Sequence, residues 1–186
     1  TCEGEAAYRL VADVDASASK AESGGNGFCP IAEFSGRFHG GGHVVRDLHI
    51  RSALPVVGLF GALRGTVDSL GLVDADIVGT APRSVVGGIA GRFNTSQAWI
   101  RQCFTTGTIR HAGGTTSDRV GGILGAGVGG TVGAGSVSNS FSRADVSGSG
   151  LVGGIVGEGH ASECYATGRI EGGARAVSYT HLRAHE

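Results

Sequence analysis

Four cysteines, seven histidines and two closely spaced aspartate pairs give this chain its potential for chemistry. His39 and His43, in HGGGH, have the i, i+4 spacing that lets two imidazoles share a metal on a helix. Three glycines between them preclude a stable helix, so polar decoration of a turn is expected instead. Asp13/Asp15 and Asp74/Asp76 each put two carboxylates on one face of a strand, where they could bind calcium or work as an acid–base pair. The tandem Gly-Gly-x-Gly-x-Asp repeat of calcium-binding β-rolls is absent and nothing in the sequence gathers the four carboxylates, so solvated side chains are expected. GAGVGG (125–130) lacks the following helix that a phosphate-cradling loop needs, and neither Gly-Lys-Ser/Thr nor a Gly-x-Ser-x-Gly elbow occurs. No catalytic residue, metal site or cofactor site is therefore expected.

The elements that position the remaining candidates come from a repeat. VVGLFG (56–61), VVGGIAG (85–91), VGGILG (120–125) and VGGIVG (152–157) are each followed by a second strand-like stretch. Aligning Gly58, Gly88, Gly122 and Gly154 gives separations of 30, 34 and 32 residues, a fixed period that marks a repeat architecture. Glycine fills 36 of 186 positions and apolar residues show no helical stripe, so the repeats read as short strands. In the second strand, Cys103, Thr105, Gly107 and Ile109 alternate with Phe104, Thr106, Thr108 and Arg110. Ser140, Ser142, Ala144 and Val146 alternate with Phe141, Arg143, Asp145 and Ser147, and Cys164, Ala166, Gly168 and Ile170 with Tyr165, Thr167 and Arg169. The first row of each is small and apolar and is assigned to the interior. Strands of this length without crossover helices stack coil on coil as a parallel β-solenoid, with strands about 4.8 Å apart. For VGGIVG the period leaves the inward face open, because glycines occupy both; they are read as corners and thin layers.

This register sorts the cysteines and the aromatics. Cys103 and Cys164 fall two coils apart with Ser140 between, about 9.6 Å at the sheet spacing, whereas a disulfide needs less than about 7 Å. Two buried, unpaired thiols are expected; pairing of Cys2 with Cys29 stays open. Phe104, Phe141 and Tyr165 should stack on the outer face, with Trp99 near the entry to the same strand. They form either a structural ladder, covered by a loop such as 126–136, or a ligand platform for sugar rings or a partner surface. Fifteen basic and sixteen acidic residues, giving a net charge of −1, leave no basic stripe for nucleic acid. No apolar run is long enough to span a membrane.

Phe34-x-Gly36-x-Phe38-x-Gly40-x-Gly42-His43, then Leu48-x-Ile50, VGLFG, SLGLVDADI and NSFSRADVSG, resembles proteins built from the GLUG motif. The resemblance spans roughly residues 8–173. It implies an all-β, right-handed parallel β-solenoid of about four to five coils with an N-terminal cap, the handedness also following the general preference of parallel crossovers. Residues 1–50 would form the cap and first coil and 51–175 the repeats. Residues 176–186, AVSYTHLRAHE with His181 and His185, break the pattern and are expected to be a non-native tail; any leader would lie before Thr1. The resemblance further implies a non-enzymatic spacer or adhesive segment of a larger bacterial cell-surface or secreted protein, with host or matrix glycans or proteins as partners. The alternatives are the non-catalytic part of a secreted peptidase, or a polysaccharide-acting β-helix enzyme. An open solenoid end would also favour end-to-end self-association.

Overall fold

The computed structural model describes residues 6–114, 116–128, 135–173 and 175–177. It is an all-β parallel solenoid of about five turns, with 3-10 turns within Ser17–Gly25 that are broken by a kink at Glu22–Gly24. Four sheets run its length: a six-stranded sheet, a nine-stranded sheet and two five-stranded sheets. A winding visits them in fixed order; for example Trp99–Arg101, Phe104–His111, Arg119–Gly121 and Leu124–Ala126 contribute one strand to each. In the first winding Ser17–Gly25 lies where a strand would cover His49–Ser52 of the nine-stranded sheet, with Ser19 Oγ accepting from the His49 amide. Arg175–Val177 pairs with Leu151–Gly153, so Ala176 and Val177, expected in the tail, continue the repeat. The rest of the tail lies outside the described residues.

The interior is a set of aliphatic columns, each one residue type deep per coil. Val67, Ile100 and Val137 form one, Ile50, Ile77, Ile109 and Val146 another, and Ile89, Ile123 and Ile155 a third, all buried. Parallel in-register pairing makes this inevitable, because each side chain sits above its counterpart. Of the predicted inner row, Cys103, Thr105, Ile109, Ser140, Ser142, Ala144, Val146, Cys164 and Ala166 are buried, while Gly107, Gly168 and Ile170 are half-buried. The polar members are satisfied: Thr105 Oγ1 donates to Gly122 O at 2.8 Å and lies 3.0 Å from Ser142 Oγ.

The glycines sit, as expected, at a corner and at close approaches to the next coil: a Cβ on Gly88 or Gly122 would stand 2.5 or 2.1 Å from Gly122 O or Gly154 O. The Gly58 alignment shifts by one residue: Val56 and Val57 pair with Val85 and Val86, so Gly58 matches Gly87 rather than Gly88. These first glycines let the two five-stranded sheets meet backbone to backbone. A Cβ on Gly87 would stand 2.0 Å from Ala90 O and 2.6 Å from Gly125 N; Gly121 and Gly153 face Leu124 O and Val156 O as closely. The second glycine of each pair admits the nine-stranded sheet, since a Cβ on Gly122 or Gly154 would reach 2.4 Å from Ser142 Oγ or Ala166 Cβ. The corner between the six- and nine-stranded sheets is instead turned by Ser69, Gln102, Asn139 and Glu163, with φ of 48° to 54°. This left-handed conformation is uncommon outside glycine. Here it is held by the next coil, where Arg101 O, Ser138 O and Ser162 O accept from the amides of Ser69, Gln102 and Asn139.

Gly87→Ala should therefore be strongly destabilising, by about 3 kcal/mol or more, because the obstructing atoms are backbone and cannot turn aside. Gly127→Ala, whose added Cβ would meet nothing nearer than 3.3 Å, should cost far less, and urea-denaturation midpoints of the two variants compare them.

Candidate functional site

The aromatic column forms as the register requires. Phe104 pairs with Phe141 and Phe141 with Tyr165. Their ring centroids stand 5.0 and 5.2 Å apart, with planes within 4° and 6° of parallel. Phe104 lies over Gly71, where a Cβ would approach its Cζ to 2.4 Å, so glycine makes the floor on which the stack begins. Phe141 has a ring against each face, and the Arg143 guanidinium sits 5.3 Å from its centroid. All three rings are half-buried. The outward surface is thus largely a strip of ring edges, with both faces of Phe141 and one face each of Phe104 and Tyr165 taken up within the stack. Trp99 stands apart from this column. It belongs to the six-stranded sheet, before the corner at Gln102, and its ring lies 4.7 Å from the Arg101 guanidinium. The loop 126–136 falls largely outside the described residues.

The thiols are placed by the inner row. Cys103 and Cys164 are free and buried, with Ser140 between them accepting from the Cys103 amide at 3.0 Å. Burial pushes the Cys103 thiol up to about 12, and the Cys164 thiol in the same direction. Cys29 is a free, exposed thiol, and Cys2 lies outside the described residues, so their pairing does too.

Four histidines meet aspartates. His39 contacts Asp68; His43 Nδ1 lies 3.2 Å from Asp13 Oδ1, and His49 Nδ1 lies 3.0 Å from Asp76 Oδ2. The fourth pair, His111 Nδ1 and Asp118 Oδ2 at 2.5 Å, has both side chains fully buried, and His111 Nε2 reaches Ala81 O at 2.7 Å. His39 and His43 therefore serve different carboxylates on different sheets rather than a shared metal. The Asp13 carboxyl is held below the usual range by the Val44 amide, with His43 and Arg46 adding to it, and Asp15 is lowered by Ser17. Asp13 and Asp76 are half-exposed, in keeping with the solvated carboxylates expected, and they also join neighbouring coils. The signal was available, since the three inter-coil pairs are separated by 29, 30 and 27 residues, close to the repeat. Among the described residues no group of three or more His, Cys, Asp or Glu side chains could hold a metal ion. No helix among them is long and apolar enough to cross a membrane.

No family model matches the chain. A relative is halomucin of Haloquadratum walsbyi, 40% identical over 130 residues that make up 63% of this chain and 1% of halomucin. Among solved structures, a protein from Bacteroides ovatus provisionally named an immunoglobulin A1 protease matches with a TM-score of 0.63 at 24% identity. The match covers 90% of this chain and 52% of that one, and it establishes the shared fold.

Replacing Phe141 by Ser removes both stacking partners at once and should cost about 2 kcal/mol in denaturant unfolding, against far less for Thr106→Ser on the same outer face. The thiols give a pH signature. A thiol whose folded value is raised stabilises fully below its unfolded value, 9.0, and that contribution drains away as pH climbs towards about 12. Unfolding free energies between pH 8 and about 11 should fall more steeply for the parent than for Cys103→Ala, and below pH 8 the two curves should run parallel.

Proposed function

We propose that this chain is a non-enzymatic, adhesive and spacing segment of a larger cell-surface or secreted protein. The observation that carries this reading is the repetition of the outer surface: from the second winding on, successive coils add the same short strands in register, and acids such as Asp13, Asp76 and Glu158 are engaged by side chains one coil away. Asp145 illustrates it, since its Oδ1 accepts from the Arg169 amide at 2.9 Å and so braces the next coil. Stacked coils joined by continuous backbone ladders resist proteolysis and hold whatever flanks them at a set distance.

The likeness to halomucin supports a secreted or surface setting, as does the GLUG resemblance of the motifs between Phe34 and Gly148. The immunoglobulin A1 protease-like neighbour supports the same architecture, and at its level of identity it does not carry an activity to this chain. Adhesion is expected to use the outer faces of the coils, with the aromatic column serving to hold the register of the strands that present them.

A panel of neutral and acidic polysaccharides, mucin and immobilised matrix proteins, probed with the purified chain, should show saturable binding to at least one member. Incubation with immunoglobulin A1, casein and polyuronates should leave them intact. Turnover of any of these, abolished by substitution of residues within this chain, would replace the adhesive reading with a catalytic one.

A further inference from the structure

Where the outer ends of the two five-stranded sheets meet, two shallow depressions run along the solenoid axis and share Glu158. The larger, about 410 Å³, is bordered by Arg92, Asn94, Arg119 and Glu158 over Val85 and Phe93. The smaller, about 290 Å³, continues past Glu158 to Arg175. The register explains both the hollow and its charge. One column reads Ala62, Arg92, Ala126, Glu158 on successive coils, and the column beside it reads Val85, Arg119, Leu151, Arg175. Ala126 is too small to fill the space between Arg92 and Glu158, and this leaves the notch. Arg119 reaches across to pair with Glu158. Glu33, which begins the same column two coils before Arg92, is engaged by Arg64 Nε at 2.9 Å and by Asn94 Nδ2 at 3.1 Å. Arg92 has alanine above and below it in its column and pairs with no acid among the described residues. It is exposed, whereas Phe93 beside it is 3% exposed and Val85 and Ala126 are each 9% exposed.

An uncommitted guanidinium at the edge of an apolar floor is arranged for a planar anion. Its fork of donors matches a carboxylate in bidentate fashion, while the floor accepts the apolar face of a ring. Arg119 lies one coil further on, about 4.8 Å along the axis, and Arg175 two coils beyond that. Arg92 stands on one wall of the groove and Arg119 and Arg175 on the other; Glu158 offsets Arg119, so an acidic sugar entering between the walls meets Arg92 as the cation that no acid among the described residues engages.

We propose that this groove binds a uronic-acid-containing polysaccharide, with Arg92 taking a carboxylate and the sugar ring resting over Val85 and Ala126. The proposal rests on the adhesive reading and names its ligand class. It requires no covalent step.

The test is titration of the full chain with an oligogalacturonate, its methyl ester, a neutral dextran oligomer and a sulfated dextran oligomer, with calorimetric detection. The oligogalacturonate should bind, and Arg92→Ala should weaken it about 10- to 100-fold, the range for loss of a charge-assisted hydrogen bond. Esterification should weaken it similarly. Ala126→Leu, which fills the notch, should weaken it while leaving the far-ultraviolet circular dichroism unchanged, and Arg64→Ala should leave affinity within about twofold. Preference for sulfated dextran, lost equally in Arg92→Ala, would assign the groove to sulfate and overturn the carboxylate assignment. Equal affinity in parent and Arg92→Ala would overturn the groove while keeping the adhesive reading. Failure of the oligogalacturonate to bind the parent would overturn the proposal, and the wider binding panel would then decide the adhesive reading separately.

Discussion

Everything in this molecule depends on one constraint: each coil must lie on the next in parallel register, and the coil must be thin enough to close. Backbone ladders along the axis supply the first condition. Glycine supplies the second, at Gly87, Gly121 and Gly153, where two sheets touch through carbonyls and amides with no side chain between them. A Cβ at any of these points would push the five-stranded sheets apart and disturb the core cluster that Val86, Val120 and Val152, the residues just before them, share with Ile89, Ile123 and Ile155. Packing, register and the outer columns of side chains all inherit from that contact.

The same constraint explains why polar chemistry in this chain is used between coils. A side chain on one winding finds its natural partner one period away, which is how His43 meets Asp13 and His49 meets Asp76. A residue whose column neighbours are alanines, as with Arg92, is left facing solvent. The exterior is thus divided by sequence into columns that hold the solenoid together and columns that are open to something else.

Much of this was legible in the sequence. The period of the glycine motifs gave the stacking, and alternation in 103–110, 140–147 and 164–170 gave the inner row, the buried thiols and the aromatic column. The face of VGGIVG was not legible, because period 2 carries no information where both faces are glycine and the deciding contact is with another sheet. Gly58 was misaligned because the first repeat is one residue shorter there, and Leu59 and Phe60 occupy the stretch that holds Gly88, Ile89 and Ala90 in the next coil. The corners were missed since Ser69, Gln102, Asn139 and Glu163 share a conformation and no side-chain chemistry; backbone hydrogen bonds fix them. The His–Asp pairs were missed by weighing each residue against its sequence neighbours rather than against the residue one winding away.

The direction of the ladders has a mechanical meaning. Bonds between windings point along the long axis, so a tether pulled from its two ends loads them one interface after another, and the winding with the fewest cross-links yields first. Each released winding of some thirty residues pays out on the order of 100 Å of chain. The His–Asp contacts at 13/43, 39/68 and 49/76 reinforce the first windings, and the Phe104–Phe141–Tyr165 stack and the Arg119–Glu158 pair reinforce the later ones. Stretched in this way, the rod would lengthen in steps, one winding at a time.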